Sequence, residues 1–344
     1  MASTRKKKTT QLAWKPLKKG DLVDVIAPGF RPTDDEVEAG IQFLESFGLR
    51  ARLPKDIFAG PGEPGDLLSA NVDEKRLQAV QKALSARDSR AVWCLRGGYG
   101  AIRLVPGLMK MKRPAMVKPL LGLSDVTTLQ LFLLEKWKWP SLHSPLLDRL
   151  GRVVNPRLAE GPTGPRPIPP AAHVEELRRV LFGEESSVLY EGLRWIGHEP
   201  GAKPKVRSVK GMLTGGNLVT FASAIGTSLH PSTKGRIVFF EDIGERGYRV
   251  DRLLEQMVQS GVLSAKTKAI VFGEFTEGRE PDGTNKVSAV IERFASTWAK
   301  KCGVPVLTGL PIGHGEHQRV VPLGTVADLD WKAGALSVQV GSCS

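Results

Sequence analysis

Long apolar runs are missing from this chain. No stretch of its 344 residues approaches the roughly 18 uninterrupted apolar positions of a membrane-spanning helix, so no span is expected. Cysteine is scarce: Cys94, Cys302 and Cys343 are odd in number and show no CxxC spacing, which excludes a disulfide framework and a structural zinc site. The first 20 residues lack any acid while carrying seven Lys and Arg, so seven of the thirteen surplus positive charges sit in what reads as a flexible leader. That leader also lacks the apolar core of about 7–15 residues that a secretory signal needs. The chain therefore reads as cytoplasmic, with export by an unrecognised route as the alternative. A basic tail can touch nucleic acid or anionic membrane, but a solvated tail is the plainer reading.

What is present is ordinary globular material, 41% hydrophobic and 25% charged, long enough for two domains and a core without staples. Strand-like runs at 21–29, 91–95 and 119–123 alternate with helical spacing at 34–47, 74–84 and 124–137. Such alternation predicts an α/β class: an N-terminal, layered, parallel-sheet domain over 20–150 with helices on both faces. Six prolines between Pro156 and Pro170 forbid helix or central strand there. Residues 151–204 are therefore expected to be a linker followed by a helix over 171–181. From 205 to 344 the spacing predicts a smaller, β-rich C-terminal domain, with apolar runs at 236–240 and 268–272 flanking a helix over 249–259. The basic leader is placed at 1–19.

Four segments could carry chemistry. Gly122-Leu123-Ser124-Asp125 puts a serine at a strand-to-helix turn, where helix amides can stabilise an oxyanion. The second glycine of the G-x-S-x-G elbow is absent, and Ser or Asp before a helix is also the preferred N-cap. Arg96-Gly97-Gly98-Tyr99-Gly100 lets the backbone approach a ligand closely, yet it has neither the dinucleotide glycine order nor the P-loop lysine. Glu241 and Asp242 end a strand, where a carboxylate can orient a histidine, bind metal or cap. His314, between two glycines, is mobile enough for a general base, although on the residues alone a solvated loop histidine is the plainer reading. No HxxE or HxH spacing accompanies them, so neither a metal nor another cofactor is expected.

Together these segments resemble the LD-carboxypeptidases, the serine peptidases that include muramoyltetrapeptide carboxypeptidases and microcin C immunity-type hydrolases. The resemblance runs in order through Val25–Gly29, Arg96–Gly100, Gly122–Thr127, Gly215–Leu218, Phe240–Glu245 with Tyr248–Arg252, and Gly313–Gly315. It implies a Ser124–Glu241–His314 triad, with the amides of Asp125 and of the Gly97–Gly98 turn as oxyanion donors. The implied substrate is a murein tetrapeptide losing its terminal D-alanine, with Arg96, Arg246 and Arg249, and Tyr99 beside them, as candidates for binding it. A homodimer is implied too, and no nucleic-acid partner. Where the family has His-Gly-Pro, this chain has His143-Ser144-Pro145, whose extra hydroxymethyl is expected to narrow the neighbouring pocket or to force a small backbone change. Two rival readings remain: a hydrolase of peptide-nucleotide antibiotics, with Trp195 stacking a base, and a non-catalytic nucleic-acid binder acting through the leader.

Overall fold

The computed structural model describes residues 14–66, 68–161, 164–198 and 208–341. Residues 1–13 of the leader, part of the linker and Cys343 lie outside them. The strands run, in chain order, β1 Leu22–Ile26, β2 Arg50–Arg52, β3 Ser89–Cys94, β4 Leu120–Gly122, β5 Ser141–His143, β6 Glu160–Gly161, β7 Gly164–Pro165, β8 Ser187–Tyr190, β9 Arg194–Ile196, β10 Ser208–Asn217, β11 Arg236–Ile243, β12 Ala269–Thr276, β13 Val306–Thr308, β14 Val321–Leu323, β15 Val326–Asp330 and β16 Ala335–Gln339. The helices are α1 Asp34–Ser46, α2 Asp73–Ser85, α3 Ala101–Leu108, α4 Thr127–Phe132, α5 Leu147–Val154, α6 Ala171–Leu181, α7 Leu218–Ser223, α8 Gly247–Gln259 and α9 Val287–Cys302.

The first sheet has the order β14-β5-β4-β3-β1-β2 and is parallel from β5 to β2. Its strands are apolar on both faces because both are covered. Along β3, Ala91 and Trp93 face the core that holds Val37 and Phe43 of α1 and Leu147 of α5, while Val92 and Cys94 face the core of α2, α3 and α4. α1 starts with a capping box in which Thr33 and Glu36 satisfy each other's backbone amides. Edge strand β14 comes from the far end of the sequence and pairs antiparallel with β5, Val321 opposite His143. Three residues are too few to show a period, so nothing in the sequence assigned them to this sheet.

The second sheet has the order β8-β16-β15-β10-β11-β12-β13-β9, parallel over β10 to β13 and antiparallel toward both edges. Both of its edge strands, β8 and β9, come from 187–196, within the segment expected to be linker and helix only. The leader also needs correction at its end. Trp14 and Leu17 are buried, Leu17 donating its amide to Leu181, because two large apolar side chains outweigh the lysines between and beside them. The proline-rich segment, expected to be linker, makes a 3-10 turn at Pro156–Ala159 and the short β6–β7 pairing before α6.

Candidate active site

The loops that follow β1, β3, β4 and β5 emerge side by side at the carboxyl edge of the first sheet, the usual ligand-binding edge of an α/β layer. Ser124 follows β4 and opens the turn Ser124–Val126 that leads into α4. Its φ is +66°, a left-handed conformation that costs a non-glycine residue about 1–3 kcal/mol. The N-cap position of the turn is Leu123 and no side chain caps it, so Ser124 is not there to cap a helix. Asp125 does the anchoring: its buried Oδ2 accepts from the Ala101 amide at 2.9 Å and so holds the start of α3. Burial pushes its carboxyl up to about 6, against the lowering effect of the Ala101 and Gly100 amides and of Arg76.

The glycine loop after β3 packs directly on this serine. A Cβ at Gly97 would stand 2.9 Å from the Ser124 Cβ and 3.2 Å from its Oγ, and the Gly97 carbonyl already accepts from the Phe30 amide at 2.8 Å. Gly97→Ala is therefore expected to displace the serine and lower turnover on the order of 10²-fold, as small misplacements of reacting groups do. Circular dichroism should show the fold retained, and wild-type turnover in that variant would mean the loop does not set the serine's position.

Glu241 and His314 come from the second sheet. Register shifts between Phe240 and Asp242 where β11 meets β12, and at this irregularity Glu241 is turned inward with no exposed surface. The Gly309–Val320 loop runs over it, tied by the Glu274 amide to Ile312 O at 2.9 Å. His314 Nδ1 lies 2.6 Å from Glu241 Oε2, and Arg149 Nη1 donates to the His314 carbonyl at 3.0 Å. Burial works to raise the Glu241 carboxyl, but the attraction of His314, their hydrogen bond and the nearby Arg149 charge outweigh it and hold it below the usual range. Ser124 and His314 line one cavity of about 390 Å³, although no hydrogen bond joins them.

The Gly215-Gly216-Asn217 segment joins the two halves. A Cβ on Gly216 would fall 2.5 Å from Thr127 Oγ1 of α4, and the Asn217 amide donates to that same oxygen at 3.1 Å. Asn217 Nδ2 in turn donates to Asp242 Oδ1 at 2.7 Å, linking the serine's helix to the strand end that carries Glu241. Burial, then the neighbouring Glu241 charge, push Asp242 up to about 7. The folded state therefore holds this proton more tightly than the unfolded state. Its contribution to stability is full below an unfolded pKa of about 3.9 and is lost as pH rises through about 7. Unfolding free energies measured from pH 4 to 8 should fall with pH more steeply in the wild type than in Asp242→Asn.

The remaining expected residues divide. Arg96 lines the cavity, its Nη1 donating to Glu36 at 3.1 Å. Tyr99 faces an adjacent hollow with Arg103 instead. Arg246 and Arg249 lie against the exposed Tyr248 ring at the start of α8 and are not among the residues lining the cavity. Trp195 sits on edge strand β9 opposite Leu307, also away from it. Ser144 is fully buried and its hydroxyl turns to Pro145 O, so the added group does not narrow the cavity. Sequence reasoning missed Arg149, Arg152, Arg166 and Pro167, all cavity residues. It also missed that His143 Nε2 stands 4.0 Å from the second oxygen of Glu241. Burial lowers that imidazole to about 4, so it is neutral. The apolar and charged spacing of α5 was the available signal for the first two arginines.

Residues 23–144 match the LD-carboxypeptidase N-terminal domain and residues 210–329 the LD-carboxypeptidase C-terminal domain. A murein tetrapeptide carboxypeptidase of Pseudomonas aeruginosa is 32% identical over 320 residues, 92% of this chain and 95% of that protein. The crystal structure of a muramoyltetrapeptide carboxypeptidase from Oxalobacter formigenes superposes with a TM-score of 0.72 at 28% identity, covering 93% of this chain and 99% of that one. The microcin C7 self immunity protein MccF shares the fold, with a TM-score of 0.75 at 20% identity over 95% of this chain and 98% of its own.

Proposed function

The chain belongs to the LD-carboxypeptidase family of serine-type peptidases, and from that premise we propose that it removes the terminal D-alanine from murein tetrapeptides through Ser124, His314 and Glu241. The observation that carries the reading is the buried 2.6 Å contact between Glu241 and His314, on a histidine that shares its cavity with a serine at φ +66°. His314 takes the Ser124 proton as Oγ attacks the carbonyl between the L-centre of the diamino acid and D-alanine. The amides of Gly98 and Asp125, with the adjoining Gly97, hold the oxyanion. Collapse of the tetrahedral intermediate breaks the C–N bond, His314 returns the proton to the leaving amine, and water then hydrolyses the acyl-enzyme. Glu241 keeps the imidazole in the required tautomer and offsets its charge when protonated.

In this reading residues 20–150 form the unit that supplies the serine and 205–344 the unit that supplies the acid and base, with the cleft at their junction. The peptide-nucleotide alternative has less to support it, since Trp195 lies away from the cavity and Phe30 is the aromatic ring among its lining residues. Incubating purified muropeptides with the protein and weighing the products tests the proposal. Loss of one D-alanine from tetrapeptides, undiminished by chelators, is the expected result. Intact tetrapeptides, or cleavage abolished by chelation, would overturn it.

A further inference from the structure

Four arginines, Arg96, Arg149, Arg152 and Arg166, line the cavity beside Ser124 against two acids, Asp148 and Glu277. Glu36 engages two guanidiniums, taking Arg166 Nη1 at 2.7 Å and Arg96 Nη1 at 3.1 Å. Arg149 and Arg152, three residues apart on α5, have no carboxylate within 4 Å among the described residues. Asp148 comes nearest to Arg96, at 3.9 Å, and its Oδ1 is buried without a partner. Arg152 is only 5% exposed, and its Nε has no hydrogen-bond partner. Asp148 attracts both Arg149 and Arg152 from a distance, and Glu277 attracts Arg149, but a buried cation with no carboxylate in contact is costly unless a ligand supplies one. Consistent with this, burial lowers Arg149 and brings Arg152 down to about 10.

The proline-rich segment closes the same side. Arg152 Nη1 donates to Pro167 O at 2.9 Å, Arg166 reaches back to Leu158 O, and Arg166 and Pro167 are themselves cavity walls. This strap lies outside both family-matched spans, 23–144 and 210–329. Prolines fix its backbone and leave few amide donors unsatisfied, which suits a rigid wall.

We propose that Arg149 and Arg152, enclosed by the strap at Arg166 and Pro167, form the subsite for the free carboxylate of the leaving residue. The inference rests on the peptidase reading for its orientation. Arg149 is bonded to the backbone of His314, which returns its proton to the leaving nitrogen, and the carboxylate of that residue lies one carbon beyond the nitrogen-bearing one. A planar guanidinium pair matches a carboxylate in two directions. The enclosing strap then makes removal of a single terminal residue the natural outcome.

Three substrates test this: the tetrapeptide acid, the same peptide with a C-terminal amide, and the peptide amidated only on the diamino acid's side-chain carboxylate. The wild type should prefer the acid over its C-terminal amide by on the order of 10² in kcat/KM, the size of a lost buried charged contact. Amidation of the diamino acid should matter far less. In Arg152→Gln the acid-to-amide ratio should fall at least about tenfold, with partial recovery in Arg152→Lys. A role confined to holding the strap would lower both substrates in step and leave the ratio unchanged, which would overturn the subsite. So would a preference that follows the diamino acid's carboxylate. Calorimetric binding of the acid and the C-terminal amide to Ser124→Ala protein, with and without Arg152→Gln, separates the two readings. No cleavage by the wild type sinks the peptidase reading, and equal binding of acid and amide sinks the subsite.

Discussion

Ser124→Ala should lower tetrapeptide turnover on the order of 10⁴–10⁶-fold while leaving substrate binding nearly intact. Alanine removes the only atom that can attack the carbonyl, yet the backbone at φ +66° and the amides of Gly98 and Asp125 stay in place, so a residual rate above the uncatalysed one is expected. His314→Ala should cost a similar factor, because an un-ionised serine is a poor nucleophile. The double variant should be little worse than either single one, since the two groups act on one proton. His317→Ala supplies the contrast: that imidazole is half exposed, 3.9 Å from Glu274, and its loss should be mild. Burst and steady-state kinetics on the four proteins measure all of this. Additive losses in the double variant, or near-normal turnover in folded Ser124→Ala, would end the serine reading.

Glu241→Gln should cost roughly 10⁴-fold in turnover, the scale seen when a triad acid becomes an amide. A glutamine amide facing His314 Nδ1 at 2.6 Å can donate to it, which places the imidazole proton on the nitrogen that should accept from serine. It also leaves the imidazolium uncompensated in a site with no solvent around the side chain, Glu241 having no exposed surface. Thermal unfolding should change much less than turnover, because the glutamine fills the same volume and His143 across from it is neutral. A variant whose turnover falls less than about tenfold would mean that Glu241 does not orient the histidine.

Much of the layered fold was legible because its elements carry their own periods. The helix over 171–181 and the strands at β1, β3, β11 and β12 follow directly from apolar spacing, and the sheet's parallel sense follows from their alternation with helices. The pieces that escaped are those whose placement is decided by distant partners. β8, β9 and β14 are three or four residues long, and pairing across more than a hundred residues rather than local preference fixes them. α3 was missed as well, with Pro106 inside it and its start held by Asp125, a residue 24 positions away. At the site, short motifs marked Ser124, Glu241 and His314, whereas the arginine wall needed α5 and the strap to be folded together before it existed. Arg166 has no neighbour in sequence that marks it; Glu36, which receives it, is 130 positions earlier.

The pairing of β14 with β5 has a meaning in time as well as in space. A chain emerging from the ribosome can assemble β1 to β5 and present Ser124 long before residue 321 exists, but it then carries a bare edge at β5 and neither Glu241 nor His314. The loop that brings His314 and the strand that seals the serine's sheet arrive together, within residues 309–323. On the proposed triad, closing the sheet and completing the site are thus one late event in synthesis, and the growing polypeptide would stay inactive for most of its manufacture.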